Sequence, residues 1–198
     1  MNSRNLTLII IVVVILLLGG CGCNSYNSMN GLRQQTNQAW SNVENQYKRR
    51  ADLIPNLVNT VKGAANFEQE TLERVINARA KATQVTVDPN NVTPEKMREF
   101  QAAQGEVSSA LSRLLVVSER YPDLKATQNF QNLQVELSNT ENKIAVERSR
   151  YNEVATGYNT KVTNFPNNVF AGMLGFKERP YFEASAADKE RPNVDFSK

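Results

Sequence analysis

The chain has 198 residues, a net charge of +3, 40% hydrophobic and 22% charged content, 9 Gly and 7 Pro. That is room for one folded domain with short extensions, and the balance is that of an ordered, mainly helical chain. Histidine is absent and the two cysteines, Cys21 and Cys23, lie together near the N-terminus. This excludes a histidine-bearing triad, a Cys-His pair, a histidine metal site and a disulfide across the folded region, and no cofactor is expected. A charge so small and dispersed argues against nucleic acid as a partner, because phosphate binding needs a concentrated basic footprint.

Residues 6–18, LTLIIIVVVILLL, form an apolar run interrupted only by Thr7 and preceded by Arg4. We read residues 1–23 as an N-terminal transmembrane segment or a lipoprotein-type signal. Thirteen residues suit a signal core, while extension through Gly19 to Cys23 reaches about 18, the lower range of a spanning helix. Leu18-Gly19-Gly20-Cys21 is similar to a bacterial lipobox, with Cys21 the residue that would be acylated; a retained span is the alternative. Positive charge precedes the run and none follows until Arg33, which places the folded part outside the cytoplasm.

Helix one is expected over 24–62. Met29, Thr36, Trp40, Val43, Tyr47, Ile54, Leu57 and Val61 make a seam with alternating steps of three and four, broken at Arg33 and Arg50, as in a helix packed along others. Pro55 removes the amide that would bond the Ala51 carbonyl. We read one kinked helix; the alternative lets Asp52 cap a new helix with Pro55 in its first turn. Helix two is expected over 67–84, with Phe67, Leu72, Val75, Ile76 and Ala82 on one side. Residues 85–92, around Asp88-Pro89-Asn90-Asn91, read as a loop, either a reversal or a collinear bulge. Helix three follows over 94–120, with Thr93 as cap, Pro94 in the first turn and a seam of Met97, Phe100, Gln104, Val107, Leu111 and Leu114.

Tyr121-Pro122-Asp123 breaks that helix, and Thr127 can cap the next, expected over 128–164. Its seam is Phe130, Leu133, Leu137, Thr140, Ile144, Tyr151, Val154, Tyr158, Val162 and Phe165, and Pro166 ends it. A short helix is expected over 167–174, closed by Gly175, and residues 184–198 read as a disordered tail. Residues 165–182 hold four of the eight Phe. They either strap the open end of the helices or present Phe170, Phe176, Lys177, Tyr181 and Phe182 to a membrane protein or lipid. Arg50, Gln104 and Arg148 fall on or beside seams, where charges need partners; Glu44, Asp52, Glu141 and Glu147 are the candidates. Trp40, Arg50, Asp52 and Pro55 are read as structural.

Tyr26-Asn27-Ser28-Met29, Ala39-Trp40-Ser41 and Tyr47-Lys48-Arg49-Arg50-Ala51-Asp52-Leu53-Ile54-Pro55-Asn56-Leu57-Val58 closely resemble the LemA family of bacterial membrane-anchored proteins. The likeness continues through Ala78-Arg79-Ala80, residues 111–115, Tyr121-Pro122-Asp123-Leu124-Lys125, Asn164-Phe165-Pro166-Asn167, Leu174-Gly175-Phe176-Lys177 and Tyr181-Phe182. The resemblance implies an all-α fold, an antiparallel up-and-down four-helix bundle over 24–183 behind an N-terminal membrane-anchoring helix. It implies no established enzymatic activity and a cell-membrane location. Its candidate partners are envelope proteins, among them membrane zinc metalloproteases of the HtpX type and TPM-domain proteins. The expected function is a non-enzymatic scaffold or adaptor, with a small-molecule or lipid-binding helical module as the alternative.

Overall fold

The computed structural model describes residues 3–63 and 67–183, so the expected tail lies outside the described residues. Six helices follow one another: α1 (Ser3–Lys62), α2 (Gln69–Gln84), α3 (Pro94–Ser118), α4 (Pro122–Lys125), α5 (Gln128–Thr163) and α6 (Asn167–Leu174). No strand occurs among the described residues, and the class is all-α.

α1 has 60 residues, about 90 Å at 1.5 Å per residue. It begins well before the start expected from the seam and passes through Gly19, Gly20 and Gly22 without a break. Ile10, Ile11, Val12, Val13 and Leu16 of the apolar run stand 48–68% exposed. Among the described residues, no helix has a stretch long and apolar enough to cross a membrane.

α1 also continues through Pro55, so Asp52, which is exposed, does not open a second helix. The cost of Pro55 is offset from outside: Arg79 of α2 donates its Nε–H to the Ala51 carbonyl at 2.7 Å, replacing the amide that proline lacks. We expect Arg79→Ala to lower stability by about 1.5 to 3 kcal/mol, since a charged donor to a partly buried carbonyl is lost. Double-mutant analysis with Pro55→Ala, which restores an amide, should recover most of that loss in urea unfolding.

The α1 seam buries as spaced: Met29, Trp40, Val43, Ile54, Leu57 and Val61 are at most 1% exposed. α5 lies antiparallel along it, pairing Trp40 with Tyr151 and Arg50 with Glu141. α2 and α3 pair antiparallel too, since Glu68 meets Arg120 at one end and Lys81 meets Glu106 further along. Residues between them therefore reverse the chain rather than bulge from a single long helix. Thr93 Oγ1 caps α3 by accepting from the Lys96 amide at 3.3 Å.

Two seam assignments are corrected. Ile76 is 41% exposed, and α2 instead buries Leu72, Val75, Ala78 and Ala82. Phe165 is 82% exposed because α5 ends at Thr163, before the α5 seam reaches it. At the far end of α6, Gly175 takes φ of 74°, a left-handed turn suited to glycine. This turn lets the Phe176 amide donate back to the Ala171 carbonyl at 3.0 Å.

Candidate functional site

The seam spacing sets Arg50 on the buried face of α1 beside Tyr47 and Ile54, and it is 1% exposed. Its Nη1 donates to Ser108 Oγ and to Glu141 Oε1, both at 2.7 Å. Its Nη2 donates to the Gln104 side-chain oxygen at 2.7 Å and to the Gln104 carbonyl at 3.0 Å. The guanidinium also lies 5.1 Å from the Tyr47 ring centre. One cation thus ties α1 to α3 and α5. Of the partners expected for it, Glu141 is the carboxylate used, and Gln104 is an acceptor rather than a second problem. Arg148 instead donates to the Glu183 carbonyl and stacks over Phe182.

Beside this node lies an open cleft of about 500 Å³, lined by Tyr47, Lys48, Arg79, Thr83, Phe100 and Val107 among others. Its walls combine apolar surface with hydroxyls, amides, cations and the carboxylates of Glu44 and Asp52.

The second constellation is on α5. Asn159 Nδ2 donates to the Arg179 carbonyl at 2.8 Å while its Oδ1 accepts from the Arg179 amide at 2.7 Å. Asn152 repeats the same two-way clamp on Phe182, with both bonds at 2.8 Å. Tyr158 and Tyr151, each one residue earlier, donate their hydroxyls to the carbonyls of Lys177 and Pro180 at 2.9 and 3.1 Å. The lengths agree: seven helical residues rise about 10.5 Å, and three extended residues cover about 10 Å. Residues 177–183 are therefore held along α5 as an extra extended strip. The reading along the sequence missed this device, although the repeated Tyr-Asn pair at 151–152 and 158–159 is its signal.

These clamps correct the expected docking set. Phe176 and Phe182 are each 5% exposed and belong to the core. Phe182 stacks on Trp40 at 5.6 Å between ring centres, and Phe176 meets Tyr26 edge-on at 5.7 Å. Phe170 is half-buried; a Cβ at Gly22 would meet its ring at 3.4 Å. Lys177 is exposed, and Tyr181 is 41% exposed with its hydroxyl accepting from Asn159 at 3.0 Å. The apolar side chains left outward are Phe165, Val169, Met173 and Leu174. Cys21 falls in α1, and its side chain lies outside the described residues.

Burial raises three of the tyrosines that build these contacts. The Tyr151 hydroxyl is pushed from 10.0 to about 12, against the lowering effect of Arg179. Tyr47 and Tyr158 are raised for the same reason, opposed by the arginines around them. The folded state then keeps protons that the unfolded chain has released, so this stability is complete below about pH 10 and falls as pH rises toward 12. Urea midpoints should drop between about pH 9 and 11.5, and Tyr151→Phe should drop less than the parent chain over that interval.

Among the described residues no three His, Cys, Asp or Glu gather as a metal site. An all-α chain built on one very long helix, tied by a buried arginine and closed by a clamped aromatic strip, defines the class of protein. A family model described as the LemA family matches residues 39–196, and the chain belongs to that family. It is similar to Protein LemA of Metamycoplasma hominis, 29% identical over 165 residues, covering 83% of this chain and 71% of that protein. It is also similar to Magnetosome protein MamQ 2 of Paramagnetospirillum magneticum, 26% identical over 179 residues, covering 82% of this chain and 66% of that protein. Magnetosome protein MamQ of Magnetospirillum gryphiswaldense is 24% identical over the same length, with the same coverage.

Proposed function

We propose that the protein is a non-enzymatic, membrane-anchored scaffold or adaptor of the bacterial cell envelope. The observation that carries this reading is α1 itself, which runs unbroken from the apolar segment into the folded body. Ile10, Ile11, Val12, Val13 and Leu16 lack protein cover along that segment, and their contact with water is disfavoured by about 25 cal/mol per Å² of apolar surface. Insertion of residues 1–23 in a bilayer removes the cost. Residues 24–183 then form an antiparallel up-and-down four-helix bundle outside the cytoplasm, on the charge asymmetry around the anchor.

The partner in this proposal is an envelope membrane protein, with HtpX-type metalloproteases and TPM-domain proteins as the family's candidates. The surface that meets it is the outward side of α6, where Val169 and Met173 are one turn apart and exposed, with exposed Phe165 in the turn before the helix. Phe170 seats α6 against Gly22, just after the apolar run, so this surface lies next to the bilayer. A photoreactive residue at Met173, compared with one at exposed Gln69 in intact membranes, tests the reading. A single membrane protein captured from position 173 alone supports it; equal capture at both positions, or none at 173, overturns it. The second reading, a small-molecule or lipid-binding module, is favoured by the cleft beside Tyr47 and Arg79. A bound mass in native spectra that disappears in a Thr83→Trp variant, which fills the cleft, would favour that module.

A further inference from the structure

We propose that Arg33 and Arg179 together form a binding site for a phosphate group, on the side of the folded body that faces α6. The inference does not depend on the adaptor reading. It starts from how arginines withdrawn from water are satisfied in this fold. Arg50 has four oxygen contacts, Arg79 has the Ala51 carbonyl, and Arg148 has the Glu183 carbonyl. Arg33 and Arg179 differ. The Nε of each is buried with no hydrogen-bond partner, and neither forms an ion pair among the described residues. Arg179 is 5% exposed, and a guanidinium that deep is costly without a counter-charge.

The two side chains share one neighbourhood. Arg33 lies 5.0 Å from the Phe176 ring centre and Arg179 lies 6.0 Å from that of Tyr158, and both rings belong to the same core cluster with Met29. Arg179 Nη2 reaches Asn37 Oδ1 at 3.4 Å, and Asn37 is one helical turn beyond Arg33 on α1. Arg33 Nη2 donates to Asn30 Oδ1 at 2.7 Å. Each guanidinium thus has one neutral amide contact and an idle edge. Carboxylates are sparse around them: α1 has none before Glu44, α6 has none, Glu153 and Glu178 are exposed, and Asp88 Oδ1 accepts from the Asn90 amide. Two planar forks with two uncompensated charges match the oxygens of a phosphate, which accepts paired N–H bonds. Free phosphate and a lipid headgroup both offer that chemistry.

The test uses the full chain in neutral detergent, with thermal unfolding followed at fixed ionic strength. One arm adds inorganic phosphate; the other adds phosphatidylcholine bicelles with or without phosphatidylglycerol. A saturable rise in midpoint is expected. Arg33→Gln and Arg179→Gln should each weaken it about tenfold or more, and Arg113→Gln, on the exposed face of α3, should leave it unchanged. A response to inorganic phosphate assigns a soluble ligand, whereas a response confined to phosphatidylglycerol assigns a headgroup. No response in either arm, or a response that both variants keep, overturns the site. Should Arg179→Gln fail to fold, Arg33→Gln decides, because its side chain is only half-buried.

Discussion

Trp40→Ala is expected to lower the stability of the fold by about 3 to 5 kcal/mol, the range for removing a large aromatic from a packed core. Trp40 is 1% exposed and sits among Phe100, Tyr151 and Phe182, with ring centres 5.3, 5.7 and 5.6 Å away. No single neighbour can close the void, because these rings come from α3, α5 and the clamped strip, each fixed by its own contacts. The substitution also has a local signature. Phe182 loses the face on which it stacks, so residues 177–183 depend on the Asn152 and Asn159 clamps alone. Trypsin should then cleave after the exposed Lys177 faster than global unfolding accounts for. Cleavage that stays in step with global unfolding would show that the asparagines hold the strip without Trp40.

Arg50→Ala is expected to cost about 3 to 5 kcal/mol as well, for a different reason. The change removes the donor to two Gln104 oxygens, to Ser108 and to Glu141, and it leaves a cavity at the junction of three helices. Glu141 is 41% exposed and can return to water, so most of the loss falls on the buried acceptors and the void. Arg50→Met refills the volume without the charge and should cost less, about 1 to 3 kcal/mol, set by the unsatisfied oxygens. The pair of variants separates packing from polar satisfaction in urea unfolding. Equal midpoints for Met and Ala would mean that the volume of Arg50 contributes little.

Much of the architecture is legible from spacing because helix formation and helix burial are local and periodic. The seam of α1 from Met29 to Val61, the Thr93-Pro94 start of α3 and the Gly175 stop of α6 each follow from residues within a few turns of one another. The α2 seam fails at Ile76 for an instructive reason. Ile76 and Ala78 both lie close to the buried face, and α2 approaches α3 with the small side chain inward. That choice depends on the partner surface, which hydrophobicity along one helix does not encode. Phe165 fails in a similar way, since the seam period runs on past the point where the helix ends.

The amino-acid sequence by itself determined the helical class, the ends of α2, α3, α5 and α6 to within a few residues but not the start of α1, the absence of histidine and the apolar run within α1. The tertiary structure alone decided what happens to groups whose partners are distant in the chain. Arg79 supplies the bond that Pro55 denies to Ala51, Glu141 rather than Glu44 or Asp52 meets Arg50, and Phe182 stacks on Trp40 instead of facing a partner. Arg33 and Arg179, 146 residues apart in number, become neighbours through Asn37 and one aromatic cluster. Periodicity fixes which face of a helix is buried; the pairing of polar groups across helices depends on register and direction, which exist only once the helices have met.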